Sequence, residues 1–481
     1  MMTIGSKALK HLSLIAAVLC CLSVPAAADL PAKTNPRNGM LEPAMFIQIP
    51  GPNPILTPGP EGAWDDQIVE ASDAFKNFST YYLYYHGNGG QGYQLGVATS
   101  RHPLGPFKKY GDKPILALGK KGRWDDVHVA CAMIVRDSPE KYYMWYSGMG
   151  QSRERSGWHI GLATASSPLG PWKKYDRNPI VEKFGYVGGV VKVKGKYHLY
   201  TAHPIGKTGP DYSPMALATA DKPEGPWTKF KSNPVLKEGS PGQWDDGGFS
   251  EAEVLYHNGV FHMFYGGAKI YRPRIATRES IGYAYSTDGI NFVKYCRNPV
   301  AARHAEPNAS AYAEVHSIIE PPFIYLYHTL RYVKPWRPRF EKRFPQVEDL
   351  GVQVLITKRP FSLDIPVLQL ASLGGGKTAP ASIKNSRAIP LSHATRGAIT
   401  VECTFGKKAD APLRLHVLSS PEGLKYDTSD LHTFDLPAKA HKTCRKTFTF
   451  STEVRFIKIQ AENRSKSEPV SNVSITATLS G

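Results

Sequence analysis

The tripeptide Trp-Asp-Asp occurs at Trp64-Asp65-Asp66, Trp124-Asp125-Asp126 and Trp244-Asp245-Asp246, at spacings of 60 and then 120 residues. A fixed period of this size points to stacked or radially arranged units. An aromatic run follows each copy: Tyr81-Tyr82-Leu83-Tyr84-Tyr85, Tyr142-Tyr143-Met144-Trp145-Tyr146 and Phe261-His262-Met263-Phe264-Tyr265. Two further runs, Tyr197-His198-Leu199-Tyr200 and Ile324-Tyr325-Leu326-Tyr327, lack their own Trp-Asp-Asp. A small-residue stretch comes next in each unit, such as Gly96-Val97-Ala98-Thr99 or Gly161-Leu162-Ala163-Thr164, and then a Gly-Pro-Phe/Trp turn. Short β-like runs punctuated by Gly and Pro, four to a unit and five units in all, predict an all-β chain built as a five-bladed β-propeller. Closure of the ring is expected either from Asn53-Pro54-Ile55-Leu56 or from Pro366-Val367-Leu368.

The pattern changes after Gly374-Gly375-Gly376. Runs such as Ile399 to Phe405 and Val454 to Ile459 predict a small C-terminal β-sandwich. Loose likeness to discoidin-type modules makes carbohydrate binding a candidate role for it. At the other end, Lys7 and Lys10 precede an apolar run from Leu12 to Val24 and then Ala26-Ala27-Ala28, the order of a removable signal. The organisation expected is therefore a signal peptide at 1–28, a propeller at 29–370 and a sandwich at 377–481. The mature chain would be secreted or periplasmic, with no membrane span.

The formal net charge is +18. An acidic polysaccharide or anionic surface suits it, but the basic residues are scattered and form no nucleic-acid motif, which reads as a solvated basic surface. Cys403 and Cys444 lie in short β runs, where a disulfide suits an exported protein. Cys131 and Cys296 are expected unpaired. No CxxC or HExxH spacing is present, so no zinc site is expected.

Strands in such units alternate in direction, so the start of the innermost strand, the end of the second and the preceding linker share one face. Glu70, Glu251 and Glu314 stand at innermost-strand starts; His86, His203 and His328 stand at second-strand ends. Duty shared by every copy of a repeat is usually structural, which assigns Trp-Asp-Asp to packing and turn capping and leaves the unshared carboxylates for chemistry. Asp66, Asp126 and Asp246 remain candidates for the pocket, with Asp66 favoured because it precedes the unit that holds Glu70. His128 and His316 join the candidate substrate-binding set.

Five such units with Glu251-Ala252-Glu253-Val254-Leu255 running into Val260-Phe261-His262-Met263-Phe264-Tyr265 resemble glycoside hydrolase family 43 and related furanosidase-type propellers, over residues 50 to 370. The resemblance implies an inverting glycosidase with Glu251 as general acid. The family's base would come from the start of the first blade, where Glu70, Asp66 and Asp73 compete. His316 is the nearest match to a blade-five His near the channel. No acid stands at Val187-Gly188-Gly189, where the resemblance implies a further Asp. No catalytic cofactor is expected, and a structural cation in the channel stays open. The expected partner is a carbohydrate. A non-catalytic carbohydrate-binding propeller is the alternative, as is a phosphorolytic relative using Arg153, Arg155 and Lys269.

Overall fold

Four short strands per repeat form antiparallel sheets in this computed structural model, which describes residues 46–151, 158–202, 215–269, 279–306, 309–332 and 347–481. The first sheet comprises Ile68–Asn77, Thr80–Asn88, Gln94–Ser100 and Lys108–Lys109; the second, His128–Ser138, Lys141–Met149, His159–Ala165 and Lys173–Lys174. The third runs from Tyr186–Val193 to Thr228–Lys229 and the fourth from Phe249–His257 to Val293–Lys294. The fifth takes Ala309–Glu320, Phe323–Tyr332 and Val347–Ile356 from the end of the series and its outermost strand, Ile47–Pro50, from the beginning. The expected signal peptide at 1–28 lies outside the described residues. Among the described residues no helix is long and apolar enough to cross a membrane.

The first strand of each sheet touches the first strand of the next, and that of the fifth touches that of the first. Side chains fasten these neighbours: Ala71 N–H donates to Thr329 Oγ1 at 2.9 Å, Ile134 N–H to Asp73 Oδ2 at 2.7 Å and Val187 N–H to Ser147 Oγ at 2.9 Å. The N-terminal segment is fitted to the fifth sheet by a device used elsewhere in the repeat. Asn298 accepts the Tyr283 amide and Asn233 the Leu217 amide; Asn53 likewise accepts the Val352 amide, each at 2.8 Å. Leu56 bridges Leu350, so the segment Asn53-Pro54-Ile55-Leu56 does join the last sheet.

Trp-Asp-Asp is architectural in all three copies. Trp64, Trp124 and Trp244 stack on Tyr85, Tyr146 and Tyr265, with ring centroids 5.5–5.8 Å apart. The first Asp is buried and accepts that tyrosine's hydroxyl and a lysine from the short fourth strand: Lys109 on Asp65 at 2.5 Å, Lys174 on Asp125 at 2.6 Å, Lys294 on Asp245 at 2.5 Å. The stack also accounts for the glycine that opens the third strand. A Cβ on Gly161 would lie 2.6 Å from the Tyr146 ring and 2.8 Å from Trp124, so no larger residue fits. The second Asp closes the turn, accepting the amide of Gly62, Gly122 or Gly242 at 2.6–2.8 Å. Losing that bond should cost about 1 kcal/mol in Asp66→Ala, Asp126→Ala or Asp246→Ala, read by urea unfolding.

Two more sheets follow. Ser362–Leu373, Val470–Ser480, Arg396–Phe405 and Thr443–Phe450 form one; Thr378–Ala379, Phe456–Asn463, Leu413–Ser420 and His432–Leu436 form the other. Strict alternation buries one side of each strand, as in Ile399, Val401, Cys403 and Phe405 against Leu413, Leu415 and Val417. Ser362–Leu373 pairs with Val470–Ser480 from Ser362↔Ser480 onward, so the expected boundary at residue 370 falls inside a strand of the C-terminal sheets. Pro366-Val367-Leu368 lies in that strand and takes no part in ring closure. Cys403 and Cys444 are directly opposed across two strands but remain free thiols, which corrects the expected disulfide.

Candidate active site

The register of the first strand slips in every one of the five sheets: between Ala71 and Asp73, Ala130 and Met133, Val187 and Gly189, Phe249 and Ala252, and Ala313 and His316. A bulge of this kind re-aims side chains away from the regular alternation. Cys131, Glu251 and Glu314 all fall in these slips. Cys131 at φ 49° and Glu314 at φ 44° adopt the left-handed conformation that side-chain-bearing residues seldom take.

Four carboxyls, the re-aimed Glu314 among them, meet around Arg331, three residues beyond His328 on the second strand of the fifth sheet. Its Nε donates to Glu348 Oε1 at 2.6 Å, Nη1 to Glu279 Oε1 at 2.9 Å, and Nη2 to Glu314 Oε1 at 3.1 Å, with Glu70 Oε1 at 3.5 Å. Glu70 also receives His86 Nε2 at 2.8 Å. Glu251 Oε1 accepts the Cys131 thiol at 2.9 Å. These side chains are more than nine-tenths buried or nearly so, and Glu70, Glu251, Glu314 and Glu348 each keep 6–8% of their surface exposed. Oε2 of Glu251, Oε2 of Glu314 and Nδ1 of His86 find no hydrogen-bond partner among the described residues.

The same burial acts on every carboxyl here, and neighbours decide the outcome. Desolvation pushes Glu70 up, but the hydrogen bond and charge of His86 and the charge of Arg331 overcome it and hold Glu70 at about 2. Glu251 is raised, chiefly by burial, with Glu70's charge adding to the rise and the Cys131 hydrogen bond opposing it. Burial also raises Glu314 well above the usual range and brings Glu348 to about 8, assisted by the charge of Glu70. One carboxyl held low, Glu70, thus stands in one cluster with carboxyls that burial raises.

An aromatic wall borders the cluster. Tyr93 meets His86 edge to face at 5.0 Å; His128 takes the Tyr93 amide on Nδ1 and stacks on Trp158 at 5.7 Å; Trp158 packs on Tyr186 at 4.8 Å. The wall crosses three neighbouring sheets.

A second group lies farther along the first strands. Asp73, Glu253 and His316 place their ligand atoms within 4.8 Å of one another, all buried, and His316 Nε2 has no partner among the described residues. Two oxygens and a ring nitrogen are a donor set a divalent cation accepts, so these residues fit the structural cation left open above. Burial raises Asp73 to about 7 and lowers His316 to about 3.

Of the expected residues, Glu70, Glu251, Glu314, His86 and His128 come together. Asp66, Asp126 and Asp246 serve turns. His316 belongs to the second group. His328 is fully buried against Tyr312 at 4.3 Å, with Gln353 beside its Nε2, so it packs inside the fifth sheet where a second-strand end had been expected to open on the pocket. His203, Arg153 and Arg155 lie outside the described residues. Sequence reasoning missed Arg331, Glu348, Glu279 and Cys131. A lone Arg ending an apolar strand was the one signal for Arg331.

No family model matches the chain, and no curated protein matches it. Among solved structures, a glycosyl hydrolase from Bacteroides ovatus is 15% identical over 65% of this chain and 93% of its own, with a TM-score of 0.48. A thermostable family-43 glycoside hydrolase is 20% identical over 64% of this chain and 92% of its own, with a TM-score of 0.42. A structure from work on mannoside phosphorylases of the GH130 family, containing glycoside hydrolases that target β-1,2 mannosidic linkages in Candida mannan, is 15% identical over 65% of this chain and 93% of its own, with a TM-score of 0.49.

Proposed function

We propose that the chain is an exported glycoside hydrolase whose five sheets are the blades of a β-propeller, followed from about residue 362 by a β-sandwich. The feature that carries the reading is the presence in one cluster of Glu70, held low at about 2 by His86 and Arg331, and Glu251, raised by burial. Glycoside cleavage needs a proton for the departing oxygen and a base to activate water. Glu251 supplies the first and Glu70 the second. His86 and Arg331 hold Glu70 low, while burial raises Glu251, the directions a base and an acid require. Tyr93, His128, Trp158 and Tyr186 give half-buried aromatic faces for sugar rings. The resemblance noted above implies inversion, for which the first-formed product carries the opposite anomeric configuration.

Among the described residues, the basic groups nearest the question are already engaged. Arg331 is engaged by four carboxyls, and Lys269 is held by the Gln243 carbonyl at 2.6 Å and Asp246 at 3.2 Å in a turn. The test is reducing-end release across a panel of oligosaccharides, with and without inorganic phosphate. Hydrolysis independent of phosphate is expected; binding with no release by the wild type would make the propeller a binding module.

The Cys131 thiol gives a separate check. Burial and the charge of Glu251 raise the thiol well above its usual range, so it acts only as a hydrogen-bond donor, and this bond lowers Glu251. In Cys131→Ala, Glu251 should hold its proton to higher pH, moving the alkaline limb of the kcat/KM profile upward. Cys131→Ser, which retains a donor, should not move it upward.

A further inference from the structure

Two hollows lie away from the Glu70 and Glu251 cluster, where the turns of the first sheet meet the C-terminal sheets. One, of about 210 Å³, is walled by Pro366, Val367 and Leu368 and edged by Asn385 and Arg387. The other, of about 270 Å³, is formed by Thr80, Thr99, Arg101 and His102. Pro106 and Gln369 line both, so the two make one cleft of the size that holds a small ligand. The pairing of Ser362–Leu373 slips between Pro366 and Leu368, and this bulge takes Val367 out of the ladder to stand on the cleft wall. Thr80 and His86 lie towards opposite ends of one strand, which sets the cleft about 20 Å from the cluster.

The charge in the cleft is of one sign. Arg387 is half-buried, yet it makes no hydrogen bond or ion pair with any described residue. Burial pulls its pKa down, and no carboxylate opposes that shift. The guanidinium keeps its charge even so and presents a planar fork of donors that matches an oxyanion. Arg101 gives one N–H to Ser79 Oγ and has no acidic partner among the described residues. His102 accepts the Leu104 amide on Nδ1 at 3.1 Å, so its neutral ring carries the proton on Nε2 as a further donor. No carboxyl lines either hollow. The two whose charges reach His102 are engaged elsewhere, Asp364 by Thr478 and Glu320 by Lys76 and Tyr81. A partly desolvated cation without a counter-charge is unfavourable, and an anionic ligand would supply the missing partner. Around it, the amides of Asn385 and Gln369 and the hydroxyls of Thr80 and Thr99 are not engaged by described residues and offer donors and acceptors to a hydroxyl-rich molecule.

We propose that this cleft binds an acidic saccharide, with the carboxylate of a uronate or the sulfate ester of a sugar seated on Arg387 and its hydroxyls on the flanking amides. A site this far from the carboxyl cluster holds a polymer without cleaving it. The proposal goes beyond the glycosidase reading and does not depend on it.

The test is calorimetric titration of the full chain with an oligogalacturonate, the methyl ester of the same oligosaccharide, a sulfated galactan oligosaccharide of equal length, and inorganic sulfate. At least one of the two acidic saccharides should bind about tenfold or more tighter than both the methyl ester and inorganic sulfate, a difference of about 1.4 kcal/mol. Which of the two binds identifies the anion. Binding should weaken with added salt and fall about tenfold in Arg387→Gln, whose fold is checked by its unfolding midpoint. Arg101→Gln, in the adjoining hollow, is the second variant should Arg387→Gln misfold. Binding of neither acidic saccharide, equal binding of the methyl ester, or binding of inorganic sulfate as tight as that of the saccharides would overturn the proposal. So would acidic-saccharide binding unchanged in the folded variant, which would assign it to the general basic surface. Reducing-end release, present or absent, decides the glycosidase reading and leaves this one untouched.

Discussion

Glu251→Gln is expected to lower kcat on an oligosaccharide substrate by about 10²–10⁴-fold while leaving the unfolding midpoint near that of the wild type. The amide matches the carboxyl in shape, and Oε1 can still accept the Cys131 thiol, so the packing of the bulge survives. What is lost is the acidic proton that Glu251, raised by burial, would give to the departing oxygen in the proposed reaction. Glu253→Gln, two residues along the same strand, separates this role from that of its neighbours. Glu253 lies in the second group with Asp73 and His316, and its substitution should affect stability before chemistry. Comparable losses of kcat in both variants, with both folded, would remove the distinction between the two groups.

The second large effect concerns Arg331. Four carboxyls depend on its charge, and Arg331→Met leaves them buried without it. Breaking a buried ion pair by removing one partner commonly costs about 3–5 kcal/mol, and a loss in that range is expected near pH 7. The pH dependence fixes the cause. Glu70 is depressed to about 2 in the folded protein, so its contribution is present above its ordinary value near 4.5 and is lost as pH falls through 2. Without Arg331 that depression shrinks and the raised carboxyls rise further, so the stability deficit should be largest at neutral to alkaline pH and narrow as pH falls below 4.5. Urea unfolding of the variant and the wild type across pH 3 to 8 reads this directly. A deficit independent of pH would mean that Arg331 acts by packing alone.

The repeat was legible because its structural duties recur. Trp124 stacks on Tyr146, Asp125 takes Tyr146 and Lys174, and Asp126 closes the turn, each in the way of its counterparts in sheets one and four. Glu70, Glu251 and Glu314 were legible by position, since innermost-strand starts share a face with the second-strand ends and the preceding linkers. The bulges were not legible. A register slip hides no residue type, yet it decides that Cys131 reaches Glu251 and that Glu314 reaches Arg331. His328 was misplaced for the same reason: the slip between Ala313 and His316 shifts the pairing of the fifth sheet, so Arg331, paired with Ala311, is the residue that faces the cluster. Glu348 and Glu279 stand at the ends of long connections, where periodicity carries no information about direction. The boundary near residue 370 misled because Ser362–Leu373 continues the strand rhythm while pairing with the far end of the chain.

The split of roles between Glu251 and Glu70 is tested most directly by varying the leaving group. On aryl glycosides whose phenol departs readily without a proton, Glu251→Gln should recover most of the wild-type rate, because the acid is no longer needed, whereas Glu70→Gln should stay depressed on every substrate, because water still needs a base. Equal depression of both variants across good and poor leaving groups would contradict the assignment of acid and base on which the account rests.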